Sequence, residues 1–236
     1  MGSYPAYARL GLAYVEKHRE TGKLRYYDRA LGLLPGHVPA TEHLAELHAA
    51  RGEWEEAEGL FHELLKTRPG PQYRLGLAEA CRQQGKTREA RRESAKALRQ
   101  LRQSAGRGVQ DAIRPLALLL LEREETAAEG LRWAERDWEV RQDALTADTQ
   151  AWAHHCSGHA PEALRWSEQA LESGSKTPAL LLHSGLIHCR CGQEEEGRAL
   201  LRDSLGCQLA FGPHERTLAE SARKLLTGGR TPAAGP

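Results

Sequence analysis

No run of the chain alternates apolar and polar residues as a half-buried strand must; apolar positions recur three and four residues apart instead, which keeps one face of a helix dry. The pattern also repeats over a longer range. Residues 129–138 (EGLRWAERDW) and 162–171 (EALRWSEQAL) are nearly the same amphipathic decapeptide, 33 residues apart. A unit recurring every 20 to 50 residues or so marks an array of stacked supersecondary elements. The same period carries Gly52, Ala57 and Leu64 onto Gly85, Ala90 and Ala97. Gly52, Gly85, Gly158 and Gly192 fall where the first helix of a unit should end, since the residue past a helix C-terminus often takes positive φ, which only glycine does without steric cost. Small residues at Ala57, Ala90, Ala163 and Gly197 then let a second helix approach closely. Both decapeptides are second helices, with Trp133 and Trp166 in equivalent places.

The clearest copy begins at Val38. Leu44, Ala45 and His48 stand at the spacing of the tetratricopeptide L-G-x-x-Y block, Ala57 and Phe61 at its A-x-x-x-F, and Pro69 at its closing proline. Upstream, Tyr7, Leu10, Gly11 and Tyr14 match the W-x-x-L-G-x-x-Y block, with Tyr27, Ala30 and Pro35 in register. On these residues the chain resembles the tetratricopeptide repeat family. The resemblance implies an all-α, right-handed superhelical α-solenoid of about six helix-turn-helix units over 4–211, starting near Tyr4, Val38, Pro71, Asp111, Ala144 and Pro178. A capping helix is expected over 213–227, where Leu218, Ala222, Leu225 and Leu226 share a face, and a disordered tail over 228–236. The fourth unit departs from the pattern. It has Glu125 at the turn glycine and Pro115 near the start of its first helix, so that helix begins late or kinks. The extra residues of RQSAGRGVQ (102–110) predict a long second helix in unit three, then a loop, the best candidate for a hinge or a break in the superhelix.

Charge narrows the partners little. Thirty-three Lys and Arg balance 32 Asp and Glu, so no broad field draws the chain to nucleic acid or an anionic membrane. Five cysteines without framework spacing, and a start lacking the basic and apolar stretches of a signal peptide, point to a reducing, cytoplasmic address. The apolar run Leu116–Leu121 is six residues where a membrane span needs about 20.

Chemical motifs reduce to structural roles. Gly85-Lys86-Thr87 echoes the end of a phosphate-binding loop, but Ala80 holds the place of its first glycine and a helix precedes it, so an inter-helix turn capped by Thr87 is expected. His154 and His188 replace the family's core tyrosine and should pack. His155 and Cys189, with Cys156 nearby, should face the concave side; Cys189 and Cys191, two apart on a helix, cannot converge on a metal. Neither metal nor cofactor is expected. No nucleophile pairs with a positioned base, so catalysis is not expected either.

In a stacked array the distinctive surface is the concave face lined by first helices. The family resemblance implies that this groove binds a peptide or helix of a partner protein. Its expected lining is Glu42, Glu46, Glu79, Arg82 and Gln83 in units two and three, and Leu119, Asp148, Trp152, His155, Leu182 and Leu186 in units four to six. The acidic end argues against clamping a partner's C-terminal carboxylate. Trp152 is either a groove hot spot or an aromatic buried between repeats. The chain thus reads as a non-catalytic interaction scaffold; a ligand-responsive sensor and a module of a larger protein are the alternatives.

Overall fold

The computed structural model describes residues 25–206 and 213–228. Every regular element among them is helical: α1 (Arg25–Leu33), α2 (Val38–Arg51), α3 (Trp54–Thr67), α4 (Pro71–Gln83), α5 (Thr87–Gly106), α6 (Ile113–Leu121), α7 (Glu124–Val140), α8 (Ala144–Cys156), α9 (Ala160–Glu172), α10 (Pro178–Arg190), α11 (Glu194–Gly206) and α12 (Pro213–Leu226), with a 3-10 turn at Gln110–Ala112. No helix among the described residues is long and apolar enough to cross a membrane. Helices α2, α4, α8 and α10 start at Val38, Pro71, Ala144 and Pro178. The first helix of the unit expected near Tyr4 and most of the tail lie outside the described residues.

The chain divides into two compact units, 1–97 and 98–236, and the border falls within α5. That helix has 20 residues, as the extra sequence after unit three predicts. Fourth-unit geometry follows from Pro115: α6 begins only at Ile113, after the 3-10 turn, so the proline sits in the first turn, where its missing N–H goes unneeded.

Within the first unit, α3 packs on both α2 and α4. The shared core is Ala45, Ala49, Ala57, Phe61, Leu64, Tyr73, Leu77 and Cys81. Gly76 lies against the Phe61 ring, where a Cβ would come within 2.3 Å of Cζ, so the ring is seated on bare backbone. Buried Glu93 accepts hydrogen bonds from Arg74 and Lys96, both at 2.7 Å, tying α4 to α5. Glu58 of α3 likewise accepts from Gln84 at 2.6 Å and Lys86 at 2.7 Å.

In the second unit three hairpins pair α6 with α7, α8 with α9, and α10 with α11, and α12 packs on the last of these. The hairpins close on small residues. A Cβ on Gly197 would sit 2.5 Å from Cys189 Sγ and 2.7 Å from the Gly185 carbonyl oxygen, so α10 and α11 touch backbone to backbone. Before α8, Asp143 accepts from the Leu145 and Thr146 amides while Thr146 Oγ1 accepts from the Asp143 amide, a reciprocal cap that fixes the helix start. Arg141 donates to Asp137, fully buried in α7, at 2.7 Å.

Candidate functional site

First helices carry the expected lining residues, and their spacing puts them on common faces. On α8, Asp148, Trp152 and His155 follow one another by four and three residues, one helical stripe. The facing stripe of α10 holds Leu182, His183 and Leu186. The two stripes meet. Both carboxylate oxygens of Asp148 lie 3.0–3.1 Å from His183 Nδ1. A carboxylate can only accept, so the shared proton sits on Nδ1 and the imidazole donates. The His183 ring stacks on the Trp152 indole with centroids 4.5 Å apart and planes 17° off parallel; His155 stacks on it too, at 4.9 Å and 23°.

This arrangement corrects the exposure expected of the lining. Trp152 is only 4% exposed, and Leu182 and His183 are at most 1% exposed; Leu186 and Asp148 are also buried. An indole in that setting is core rather than a free aromatic facing a groove. Leu119 and His155 are half-buried. Cys189 does not face the concave side as expected: it is buried against Gly197 of the second helix α11. His188 packs as expected, yet neither ring nitrogen has a hydrogen-bond partner among the described residues, the nearest acid being Glu196 at 3.7 Å.

Charge in the stripe follows from burial. Burial alone would push His183 down, but the charge and hydrogen bond of Asp148, with Glu215 adding, outweigh it and hold the imidazole above its usual range. His155 has no such partner. Its burial, with the His183 and Arg190 charges, lowers it to about 4. Burial raises the thiols of Cys81, Cys156, Cys189 and Cys191, Cys156 to about 12, which removes them as nucleophiles near neutral pH.

In the first unit the acidic lining is partly tied up. Tyr73 of α4 donates to Glu42 of α2 at 3.1 Å, linking adjacent first helices. Glu79 is buried and accepts from Arg82 and, at 2.8 Å, from Gln83. Glu42 is half-buried, while Glu46 and Arg82 are exposed. Among the described residues, three metal-type side chains come together at Glu58, Cys81 and Glu89, with ligand atoms within 4.8 Å of one another. The Lys86 ammonium bonded to Glu58 already supplies the cation there.

Sequence reasoning missed His183. It stands 35 residues after Asp148, close to one period on, and a repeat period places residues so separated on neighbouring first helices; that was the available signal.

Residues 16–75 match the tetratricopeptide repeat family. No curated protein sequence matches the chain. Among solved structures, PilF of Pseudomonas aeruginosa is similar at 15% identity, over 92% of this chain and 96% of that one, with a TM-score of 0.49. Yeast Tom70 is similar at 15% identity over 94% of this chain and 47% of that one, also at 0.49. YrrB, described as a TPR protein with an unusual peptide-binding site, is similar at 18% identity over 84% and 97%, with a TM-score of 0.38.

Proposed function

We propose that the chain, which matches the tetratricopeptide repeat family over residues 16–75, is a non-catalytic scaffold whose first-helix faces receive a peptide or helix of a partner protein. The observation that carries this reading is the linking of adjacent first helices by side chains, Tyr73 to Glu42 and His183 to Asp148, which leaves a pre-organised face beside them. Rigid faces bind with less ordering cost. In the first unit the reachable groups are Glu42, Glu46 and Arg82, and the two carboxylates, one turn apart on α2, suit a partner segment rich in Lys or Arg. In the second, Leu119 and His155 offer half-buried apolar and aromatic surface.

The test is affinity capture with the parent chain and with a Glu42→Lys, Glu46→Lys double variant, read by quantitative mass spectrometry. Proteins held by the parent should be lost from the variant and should elute as salt rises, because exposed charge pairs are screened. Circular dichroism should show the variant folded. The same proteins retained by both chains, with no salt dependence, would refute the assignment of this face.

A further inference from the structure

The turn between α8 and α9 brings two imidazoles nose to nose: His154 Nδ1 and His159 Nδ1 are 3.3 Å apart, with ring centroids at 5.5 Å and planes tilted by 52°. The turn that does this is rigid. Gly158 takes φ +78°, and the His159 amide donates to the His154 carbonyl at 2.9 Å, closing the end of α8. His159 occupies the N-cap of α9, yet its side chain makes no capping hydrogen bond, whereas His37 at the N-cap of α2 accepts one from the Ala40 amide. The ring has turned back to His154 instead.

The equivalent place in the second repeat holds a different pair. His48 and Glu53 flank Gly52 as His154 and His159 flank Gly158, and Nδ1 of His48 lies 2.5 Å from the Glu53 carboxylate, a nitrogen facing an acceptor oxygen. At His154 and His159 two nitrogens face each other. A separation of 3.3 Å is long for an N–H hydrogen bond. It equals the edge of a tetrahedron around zinc: two Zn–N bonds of about 2.0–2.1 Å at the tetrahedral angle span about 3.3–3.4 Å.

We propose that His154 and His159 form a binding site for a divalent zinc-type transition metal ion, with the two Nδ1 atoms as ligands and two positions left for water or a carboxylate. His159 is exposed and His154 half-buried, so an ion can reach both. Glu162, in the first turn of α9, and Glu135 of α7 lie near enough to act on His154 electrostatically and give the site negative surroundings; Arg165 opposes them. Burial first, and then His159, keep His154 below its usual range, so it is neutral and available as a ligand at pH 7. Nδ1 ligation leaves each Nε2–H to water. The ion would staple the end of α8 to the start of α9.

The experiment is titration of the full chain, without a histidine tag and after chelator treatment, with zinc chloride by calorimetry at pH 7.5. One ion should bind per chain. Losing an outer partner of a metal ligand already weakens binding about 10–100-fold, so His159→Gln, which removes a ligand at an exposed position, should weaken it by at least about tenfold. Cys81→Ser, at the other grouping of metal-type residues, should leave it unchanged. In 15N spectra the Nδ1 resonances of His154 and His159 should shift together on adding zinc. His154→Gln should match His159→Gln; if it does not fold, the exposed variant decides alone. No binding at about 100 micromolar zinc, or equal binding by the parent and a folded His159→Gln chain, overturns the proposal.

Discussion

Asp148→Asn replaces one oxygen by an amide of nearly the same size, so it removes the charge from the α8–α10 contact without opening a cavity. His183 is 1% exposed, and its Nδ1 has both Asp148 oxygens within 3.1 Å. Breaking a buried pair by removing one charge typically costs about 3–5 kcal/mol, whereas losing a neutral hydrogen bond costs about 1 kcal/mol. Which applies depends on pH. The folded His183 titrates above its unfolded value of about 6.5. Its pairing therefore contributes fully below pH 6.5 or so and fades as pH rises through the folded value. The variant should be destabilised by about 3 kcal/mol at pH 6 and by about 1 kcal/mol at pH 9. For a chain of this size that is a melting shift of about 6–12 °C against about 2–4 °C. His155 does not confuse the comparison. Lowered to about 4, it is neutral in the folded state across this window, and its unfolded form is common to both chains. Circular dichroism melts of the two chains at pH 6, 7.5 and 9 provide the measurement. A loss that is equal at all three pH values, or largest at pH 9, would refute the charged pairing of His183.

Further outcomes follow from packing and ionisation. Trp152→Ala should cost about 3–5 kcal/mol in stability, read by thermal melting, because the indole is core; an unchanged melting temperature would return it to the surface. Gly197→Ala should destabilise by about 1–3 kcal/mol, since its Cβ would collide with Cys189 Sγ and the α10 backbone; a neutral effect would mean that the two helices can part. His188→Leu should be neutral or stabilising by about 1 kcal/mol, as it removes two ring nitrogens buried without hydrogen bonds, and a marked loss of stability would reveal a partner for them. Cys156 should resist a thiol reagent such as Ellman's at pH 8 in the folded chain and react once denatured, which intact-mass measurement would show.

The fold was largely legible because its signals are local and repeated. Turn glycines, helix-start prolines and small crossing residues each fix a backbone event within a few positions, and Gly52, Gly85, Gly158 and Gly192 all take positive φ as expected. The long α5 was legible for the same reason, as six or so residues beyond the period had to go somewhere. A break was expected near 102–110; that the border between the two compact units falls earlier, inside this helix, was not legible, because it depends on packing summed over many side chains rather than on any one motif.

The site was legible only to the level of the helix face. Asp148, Trp152 and His155 share one helical stripe, but exposure on that face depends on the neighbouring repeat, and a period cannot state how much of a side chain the neighbour covers. At Trp152 the neighbour supplied His183, and an expected hot spot became core. The reverse happened at His154. Read as a stand-in for a packed tyrosine, it keeps partial exposure and meets His159 across the turn. In both cases the deciding partner was a histidine on another element rather than the residue singled out, which points for binding groups in this chain to pairs one period apart or five residues apart across a turn glycine. By that rule the first unit is the better place to look for a protein partner. Its cross-helix pair, Tyr73 with Glu42, leaves Glu46 and Arg82 exposed, whereas the corresponding pair of the second unit, His183 with Asp148, is buried.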